Sequence, residues 1–225
     1  MILFIDTETS GFPLTDKTKH EDLSLNNPKQ ARILEIACIL TDDQGKVISM
    51  LDTLVTCGDI ELREGLPHDI TVEDCNERGI SLSRLRDIIH FFSDTDFGEN
   101  KRTTIVAHNI GFDEKMLKLH GIDLRKPWTD FYCTMKSTTD ICKIPHMRNS
   151  GYKFPKLDEA HAYFFGETMK SNHRAMGDAI MCKEIYFALK NKIPLDSSVE
   201  YKTIKKEKLL EGDWNRKPEI KLQEL

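Results

Sequence analysis

Short apolar runs alternate with longer amphipathic segments along this chain, a pattern typical of α/β proteins. Three apolar runs predict strands at Ile2 to Asp6, Ile33 to Thr41 and Thr103 to Ala107. Residues 42–45 read Asp-Asp-Gln-Gly, a turn signal that leads into a further strand at Lys46 to Val55. The two strands that flank this turn are expected to form a hairpin. The sheet is therefore expected to be at least partly antiparallel.

Most of the remaining apolar positions follow helical spacing. From Leu82 to Phe92 they recur at i, i+3, i+6, i+7 and i+10, after serines that could cap a helix starting at Ser81. Helices are also predicted for Phe112 to His120, for Leu157 to Phe165 and from about Asn172 to Lys190. A last strand is predicted for Trp128 to Met135. Together these elements predict an α/β fold with a mixed sheet flanked by helices.

Composition limits the class of protein. The 225 residues include 32 Lys and Arg against 37 Asp and Glu, a net charge of −5, and 39% are hydrophobic. We expect one main domain at residues 1–193 and a charged tail at residues 194–225. No apolar run approaches the roughly 18 residues that span a bilayer. The apolar start meets Asp6 without a basic leader, so neither a membrane segment nor a secretory signal is expected.

The six cysteines follow no metal-binding or disulfide pattern. They include no C-x-x-C pair and no nearby cluster with histidine, so we expect no zinc site. A chain of this length does not need a disulfide framework. We therefore expect reduced thiols and a cytoplasmic protein. The mild net acidity argues against an overall basic nucleic-acid binder, but it allows a local basic groove or an acidic site neutralised by metal.

Two acids stand at the end of the first predicted strand. Side chains alternate between the faces of a strand, so Asp6 and Glu8 are expected to project to the same side. A lone D-x-E is often a pair of solvated acids in a turn. Here Gly11 follows closely and lets the backbone approach a ligand. Two adjacent carboxylates repel unless a hard cation neutralises them, and oxygen ligands suit Mg²⁺ or Mn²⁺.

Three further residues are candidates for the same site. Asp113 follows the strand at 103–107, at the edge where α/β folds place their sites, although an acid in the first turn of a helix is common in itself. His173 and Asp178 are five residues apart, which on a regular helix separates them by about 140°. Both reach one site only if His173 lies in the turn that leads into the helix, which Asn172 as a cap would permit. Otherwise His173 is a capping or core histidine.

The order and context of these residues resemble the three motifs of the DEDDh exonucleases. These are ribonuclease-H-like 3′–5′ exonucleases that include proofreading subunits of polymerases and ribonuclease T. The motifs are D-x-E in a first strand, H-N-x-x-F-D in the middle and H-x(4)-D near the end, and the likeness covers residues 2–190. The resemblance implies four metal-binding acids and one catalytic histidine: Asp6, Glu8, Asp113, Asp178 and His173.

The resemblance also implies a mechanism. Two divalent ions, Mg²⁺ with Mn²⁺ as a substitute, would balance the four carboxylates and promote phosphodiester hydrolysis. Asp6 would bridge both ions, Glu8 and Asp178 would complete one coordination shell, and Asp113 would hold the other ion. His173 would be the general base, since an imidazole with a pKa of about 6.5 can accept a proton at neutral pH.

Substrate contacts are implied at five more positions: Thr9, Phe12, His68, Ile70 and Asn109. The backbone at Thr9 would meet the terminal nucleotide. Phe12 would stack on the last bases or splay them, although it could instead be a core residue beside Pro13. His68 and Ile70 lie in a segment similar to a weaker motif of the family, in which Asp69 replaces the usual Gly.

Two segments are candidates for a wider interface. Lys143 to Lys156 has four Lys or Arg, no acids and two aromatic residues, which suits the backbone of a single strand. It could equally be a solvated loop. Residues 201–225 carry seven basic and five acidic side chains. They could dock a DNA polymerase, follow the nucleic acid or simply be exposed.

The residues and the resemblance together favour an exonuclease. It would remove nucleotides from single-stranded or frayed 3′ ends, of DNA more than RNA, by two-metal-ion hydrolysis. The alternative is a non-catalytic module of the same fold that binds nucleic acid or a partner. An inactive relative would usually lack an acid or the histidine, and this chain has all five. The motifs do not separate DNA from RNA, because proteins sense the 2′-hydroxyl through contact geometry.

Overall fold

Five strands form one mixed sheet. They are β1 (Ile2–Thr9), β2 (Ile33–Thr41), β3 (Val47–Leu54), β4 (Thr103–Ala107) and β5 (Thr129–Cys133). Their order in the sheet is β3-β2-β1-β4-β5. The hairpin strands β2 and β3 are antiparallel, as are β1 and β2, whereas β4 runs parallel to both β1 and β5. This computed structural model describes residues 1–14, 22–94, 102–147, 150–166 and 173–191.

Six helices flank the sheet in the described ranges. They are α1 (Val72–Arg78), α2 (Leu82–Asp94), α3 (Ile110–Leu119), α4 (Thr134–Cys142), α5 (Leu157–Phe165) and α6 (Ala175–Asn191). The predicted mixed sheet with flanking helices is thereby confirmed. No helix in these ranges is long and apolar enough to cross a membrane.

The central strand β1 separates two apolar layers. Its even-numbered apolar residues, Ile2 and Phe4, pack in one cluster with residues of α6. Its odd-numbered apolar residues pack on the other face, in a larger cluster with α2 and α3. The same alternation directs Asp6 and Glu8 toward the face that α6 covers. The two acids therefore continue a buried apolar row at its carboxyl end.

The structure differs from the sequence prediction mainly where threonines are frequent. The strand predicted up to Met135 ends at Cys133, and the chain then forms α4. Threonine favours strands, but in α4 the Thr138 hydroxyl donates to the Thr134 carbonyl at 2.8 Å. Helix α1, which the apolar pattern did not predict, begins after Thr71, whose hydroxyl accepts a hydrogen bond from the backbone N–H of the third helical residue.

The boundaries of the other elements agree within a few residues. Helix α3 begins at Ile110, two residues before the predicted start, and α6 begins at Ala175. Asn172, the predicted cap of α6, and the predicted tail at residues 194–225 lie outside the described residues. The domain boundary at 193 therefore stays a prediction, although residues Met1–Asn191 form one compact unit.

Candidate functional site

Helix α6 and the turn before it bring Asp178 and His173 onto the acidic end of β1. Glu8 and Asp178 are both 8% exposed. One ligand atom each of Glu8, His173 and Asp178 lies within 4.8 Å of the other two. Fully buried Ala175 and Ala179 let the first turns of α6 approach the sheet closely. Residues from opposite ends of the chain thus meet at one point, as the motif order predicts.

The other two acids join this cluster from the sheet and from α3. Asp113 is buried, and its carboxylate accepts a hydrogen bond from the Thr7 hydroxyl at 2.9 Å. The pKa of Asp6 is raised well above its ordinary value, first by burial and then by the charges of Asp113, Asp178 and Glu8. The charges of the other three acids thus reach Asp6, while the group whose ligand atoms lie within 4.8 Å of one another comprises Glu8, His173 and Asp178. Sequence reasoning missed Thr7, since its neighbours in the motif carry the visible chemistry.

Among the described residues, burial raises the pKa of three carboxylates in this cluster, and repulsion between acids adds to this for two of them. Burial, followed by the charge of Asp178, raises the pKa of Glu8 to about 8. Burial raises the pKa of Asp113 to about 7, although the hydrogen bond from Thr7 opposes the shift. Buried carboxylates that repel one another gain stability when a cation neutralises them. The four carboxylate donors fit a hard divalent ion such as Mg²⁺ or Mn²⁺, and the imidazole of His173 lies beside them.

The backbone of His173 is held in an unusual conformation. Its φ is +50°, a left-handed value that is uncommon for residues other than glycine. His173 lies in the turn just before α6, which is the position predicted from the five-residue spacing. The turn places the imidazole on the same side as Asp178, which a regular helix would not do.

A buried acid that sequence reasoning missed fixes this turn. Glu35 of β2 is 2% exposed. The Arg174 Nε donates to both carboxylate oxygens of Glu35, at 3.0 and 3.1 Å, and Nη2 of the same guanidinium also donates to the carboxylate. It also accepts one from the Ala175 N–H at 2.9 Å. Glu35 therefore caps α6 and holds the residue next to His173. The signal was present in the sequence as an isolated acid within an apolar strand.

A cleft opens beside the acids. Its volume is about 460 Å³, and it is lined by Thr7, Glu8, Thr9, Gly11, Phe12, Arg63, Glu64, Gly65, Leu66, Pro67, His68, Asn109 and Phe112. Four of the five predicted substrate contacts, Thr9, Phe12, His68 and Asn109, are among these residues. The segment 63–68, which we call the cleft wall, forms one side. The motif-like segment around His68 and Ile70 reaches the end of the cleft wall, whereas residues 63–65 were not identified from the sequence, because they meet the site only through long-range contacts.

Phe12 is an exposed ring and not a core residue. Its side chain is 69% exposed, with the edge of Phe112 at a centroid distance of 5.8 Å. The Arg63 guanidinium lies over the Phe12 ring at 5.1 Å, a cation–π contact. The cleft therefore presents an accessible aromatic face and a cation next to a group of acids.

The remaining predicted contacts have different surroundings. The His68 Nε2 lies 3.0 Å from the Thr9 carbonyl oxygen and so ties the cleft wall to β1. Asn109 has a left-handed backbone (φ +77°) at the start of α3. Ile70 is buried in a small apolar cluster that also contains Cys57 and Cys75. The structure thus places Ile70 in the packing beneath the cleft.

The basic segment 143–156 is a small hairpin where it is described. Pro145 and Tyr152 form an antiparallel bridge, and the rings of Tyr152 and Phe154 are exposed. Residues 148 and 149 lie outside the described residues. The Pro155 carbonyl lies 3.0 Å from His108 Nε2, next to Asn109. The hairpin is therefore connected to the loop that lines the cleft, and both its predicted uses stay open.

No protein-family model matches the sequence, and no curated protein matches it either. Solved structures match the fold. Apo Exonuclease I has a TM-score of 0.60 and 16% identity, covering 84% of this chain and 42% of that chain. E. coli Exonuclease I in complex with a 5cy-dA13 oligonucleotide has a TM-score of 0.58 and 19% identity, covering 93% and 44%.

A third match contains an RNA. The Saccharomyces cerevisiae Pan2 pseudoubiquitin hydrolase–RNA exonuclease module in complex with AAGGA RNA has a TM-score of 0.52 and 14% identity, covering 93% of this chain and 32% of that chain. The chain spans less than half the length of all three. At these identities the likeness concerns the fold. The mixed sheet with flanking helices is the ribonuclease-H-like α/β fold of these exonucleases.

Proposed function

We propose that this chain is a metal-dependent 3′–5′ exonuclease that hydrolyses phosphodiester bonds at single-stranded or frayed 3′ ends. The observation that carries the proposal is the convergence of Glu8, His173 and Asp178 within 4.8 Å, with Asp6 and Asp113 in electrostatic contact. The cluster lies at the edge of a cleft with an exposed aromatic ring. The fold shared with Exonuclease I supports the same class of reaction.

The four carboxylates would hold two divalent ions, Mg²⁺ or Mn²⁺. When bound, such ions stabilise charge on the reacting phosphate and lower the pKa of water. The raised pKa values of Glu8 and Asp113 support this role, because they indicate negative charge that the described residues do not fully neutralise. The four negative charges of these carboxylates would be balanced by the four positive charges of two divalent cations.

The chain's own residues position the strand and move the proton. His173 accepts a proton from the attacking water, and its orientation is held by the bond of its neighbour Arg174 to Glu35. Phe12 stacks on a terminal base, a contact worth about 1–3 kcal/mol and tolerant of sequence. Arg63 lies over the same ring and offers a positive charge to the phosphate backbone.

We further propose that DNA is the preferred substrate. The deoxyadenosine oligonucleotide bound in one of the Exonuclease I structures supports this choice, whereas the Pan2 module of the same fold was solved with RNA. Digestion of matched DNA and RNA oligonucleotides tests it, with faster shortening of DNA as the expected result. A DNA polymerase partner stays a prediction, because the tail that suggested it lies outside the described residues. A cytoplasmic location also stays a prediction.

Degradation of an end-labelled strand tests the activity. A 5′-labelled single strand with Mg²⁺ is expected to give a ladder of products shortened one nucleotide at a time. Asp6→Asn is expected to abolish the ladder. The matched control Asp130→Asn, which removes an exposed acid paired with Arg102 on β5, is expected to keep it. Binding without shortening would favour the non-catalytic module, and a ladder that persists in Asp6→Asn would contradict the proposed site.

Metal binding has a separate readout. Ions that bind only the folded acid cluster stabilise it by RT ln(1 + [L]/Kd), about 2.7 kcal/mol at 100 times Kd. Mn²⁺ is therefore expected to raise the melting temperature of the wild type by about 5–10 °C and that of Asp178→Ala much less. Equal shifts in both proteins would contradict the metal site, whatever the activity.

A further inference from the structure

Two exposed aromatic rings lie on the hairpin at residues 143–156, outside the acid cluster and the cleft. Tyr152 is 45% exposed and Phe154 is 57% exposed. Within the described ranges, neither ring packs against another aromatic ring or under a cation. The exposed ring of Phe91, by contrast, packs against Phe92 at a centroid distance of 6.3 Å. Local packing of rings therefore does not explain why the hairpin exposes these two.

Alternation along the second strand of the hairpin turns both rings to one face. The Lys153 N–H donates to the Ile144 carbonyl at 2.9 Å, which pairs the two strands. The Lys153 side chain, which lies between the two rings in sequence, forms an ion pair with Glu159 of α5 at 2.6 Å. Because the side chains of an extended strand alternate between its faces, Tyr152 and Phe154 share the face turned away from this pair. The strand thus presents two neighbouring rings on one surface.

A buried histidine attaches this strand to the loop that lines the cleft. Pro155 directly follows Phe154, and its carbonyl oxygen lies 3.0 Å from His108 Nε2. That nitrogen is the donor, because a carbonyl oxygen only accepts. The other ring nitrogen lies 3.0 Å from the hydroxyl of Thr134, the first residue of α4. Since His108 directly precedes Asn109, which lines the cleft, the hairpin is held next to the place proposed for the terminal nucleotide.

The charge of the hairpin suits a polyanion. Residues 143–156 contain four Lys or Arg and no acid. Lys153 is paired with Glu159, but Lys143 is exposed and forms no ion pair with any other residue that the structure describes. Exposed rings stack on bases of any sequence, and nearby cations bind the phosphates that link them. The basic charge beside the rings therefore favours a nucleic acid strand over an apolar protein surface.

We propose that Tyr152 and Phe154 form a ring platform on which bases of a single strand stack upstream of its 3′ end. The proposal rests on the proposed exonuclease function, in which the cleft holds the terminal nucleotide. The nucleotides before it then pass over the hairpin, which adds affinity without sequence preference because stacking tolerates any base. A substrate too short to leave the cleft gains nothing from the ring platform.

Photocrosslinking to the wild type locates the strand directly. Single strands that carry iododeoxyuridine at one position each are bound in EDTA, which removes the metal needed for hydrolysis, and are then irradiated. Mass spectrometry is expected to find the terminal position linked to Phe12 in the cleft, and positions upstream linked to Tyr152 or Phe154. Links to Phe12 without any link to the hairpin would overturn the ring platform and leave the exonuclease proposal intact. A strand that neither links nor is shortened with Mg²⁺ would contradict both.

Alanine variants test the same contact through kinetics on substrates of different length. Tyr152→Ala and Phe154→Ala are each expected to raise KM about 10-fold for a long oligonucleotide, because each removes the stacking of one base. A trinucleotide fills only the cleft, so its KM is expected to stay at the wild-type value. An unchanged KM for the long strand, or an equal rise for the trinucleotide, would overturn the ring platform.

The matched control removes an exposed ring at the other edge of the sheet. Trp128 is 44% exposed and directly precedes β5, which runs parallel to β4, as β4 does to β1. Since the acids lie at the carboxyl end of β1, Trp128 lies at the opposite edge. Trp128→Ala is expected to keep the wild-type KM for both substrates. A rise for the long strand equal to that in Tyr152→Ala would overturn the assignment of this contact to the hairpin.

Discussion

Glu8 and Glu35 lie directly opposite each other on β1 and β2, and both are buried. Around Glu35 the protein provides the Arg174 guanidinium and the Ala175 N–H. Around Glu8 it places more negative charge, and the pKa of Glu8 rises to about 8 because of burial and then Asp178. The same residue type, on one face of one sheet, thus has two opposite environments.

This difference separates a structural acid from a candidate functional one. A buried carboxylate with its own cation and N–H donors fixes the geometry around it. A buried carboxylate among others of its kind opposes folding unless a cation comes from solution. Natural proteins place such unfavourable groups at functional sites. The comparison therefore predicts that removal of the two charges will have opposite effects on stability.

The largest expected effect is on activity at Glu8. Glu8→Gln keeps the size of the side chain but removes a carboxylate ligand, so kcat on a labelled single strand is expected to fall by about 10²–10³-fold. The control Glu77→Gln, which removes an exposed acid of α1, is expected to keep the wild-type rate. If both variants are equally active, Glu8 does not take part in the reaction.

The next effect is on the stability of Glu8→Gln without metal. Whereas activity is expected to fall in this variant, stability is expected to rise. Since the folded protein raises the pKa of Glu8 from about 4.5 to about 8, ionisation of Glu8 costs stability as pH rises through this range. The free energy of unfolding of Glu8→Gln should match that of the wild type below pH 4.5 and exceed it by about 4 kcal/mol at pH 8 in EDTA. Denaturant unfolding at several pH values measures the gap. A constant gap would contradict the raised pKa.

The alternation of residues along β1 predicted the position of Glu8 in the site, but nothing in the sequence predicted the partners of Glu35. Alternation along β1 placed Asp6 and Glu8 on one face, and five-residue spacing placed His173 before α6. Both inferences rest on local geometry, which a sequence displays directly. The partners of Glu35 lie about 140 positions away along the chain, and no local period encodes that distance.

The cleft wall and α4 were hidden for related reasons. Residues 63–68 line the cleft because Arg63 and His68 bind the backbone at the end of β1. Nothing in the composition of residues 63–65 indicates that contact, and only the resemblance of the segment around His68 to a family motif pointed to this part of the chain. In α4 the threonines favour a strand by propensity, and the tertiary structure overrides it with a buried Thr134. Long-range packing decided both features.

Removal of the Glu35 charge tests the structural side. Glu35→Gln leaves Arg174 without its carboxylate and weakens the cap at Ala175, so the free energy of unfolding is expected to fall by about 2 kcal/mol. This value lies below the range of roughly 3–5 kcal/mol for fully buried pairs, since the Arg174 side chain is 45% exposed. The Mn²⁺-dependent rise in melting temperature should persist. Loss of that rise would assign Glu35 to the metal cluster instead.

The smallest expected effect distinguishes charge from geometry in the Glu35 pair. Arg174→Lys keeps the positive charge but replaces the planar guanidinium, which makes several hydrogen bonds to the carboxylate, with a single ammonium. Stability is expected to fall by about 1 kcal/mol. If charge alone mattered, Arg174→Lys would be as stable as the wild type.

Kinetics with Arg174→Lys sharpen the same comparison at the proposed base. His173 precedes Arg174 and has a left-handed backbone, so a looser pair should misplace the imidazole and lower kcat. KM should change little, because Arg174 is not among the residues that line the cleft. Arg125→Lys, which changes the distant pair with Glu114, is the control for a loss of stability. If kcat falls equally in both variants, the effect of Arg174→Lys comes from reduced stability. A fall confined to Arg174→Lys would mean that Glu35 positions the base through Arg174, and that the two facing glutamates serve one site in different ways.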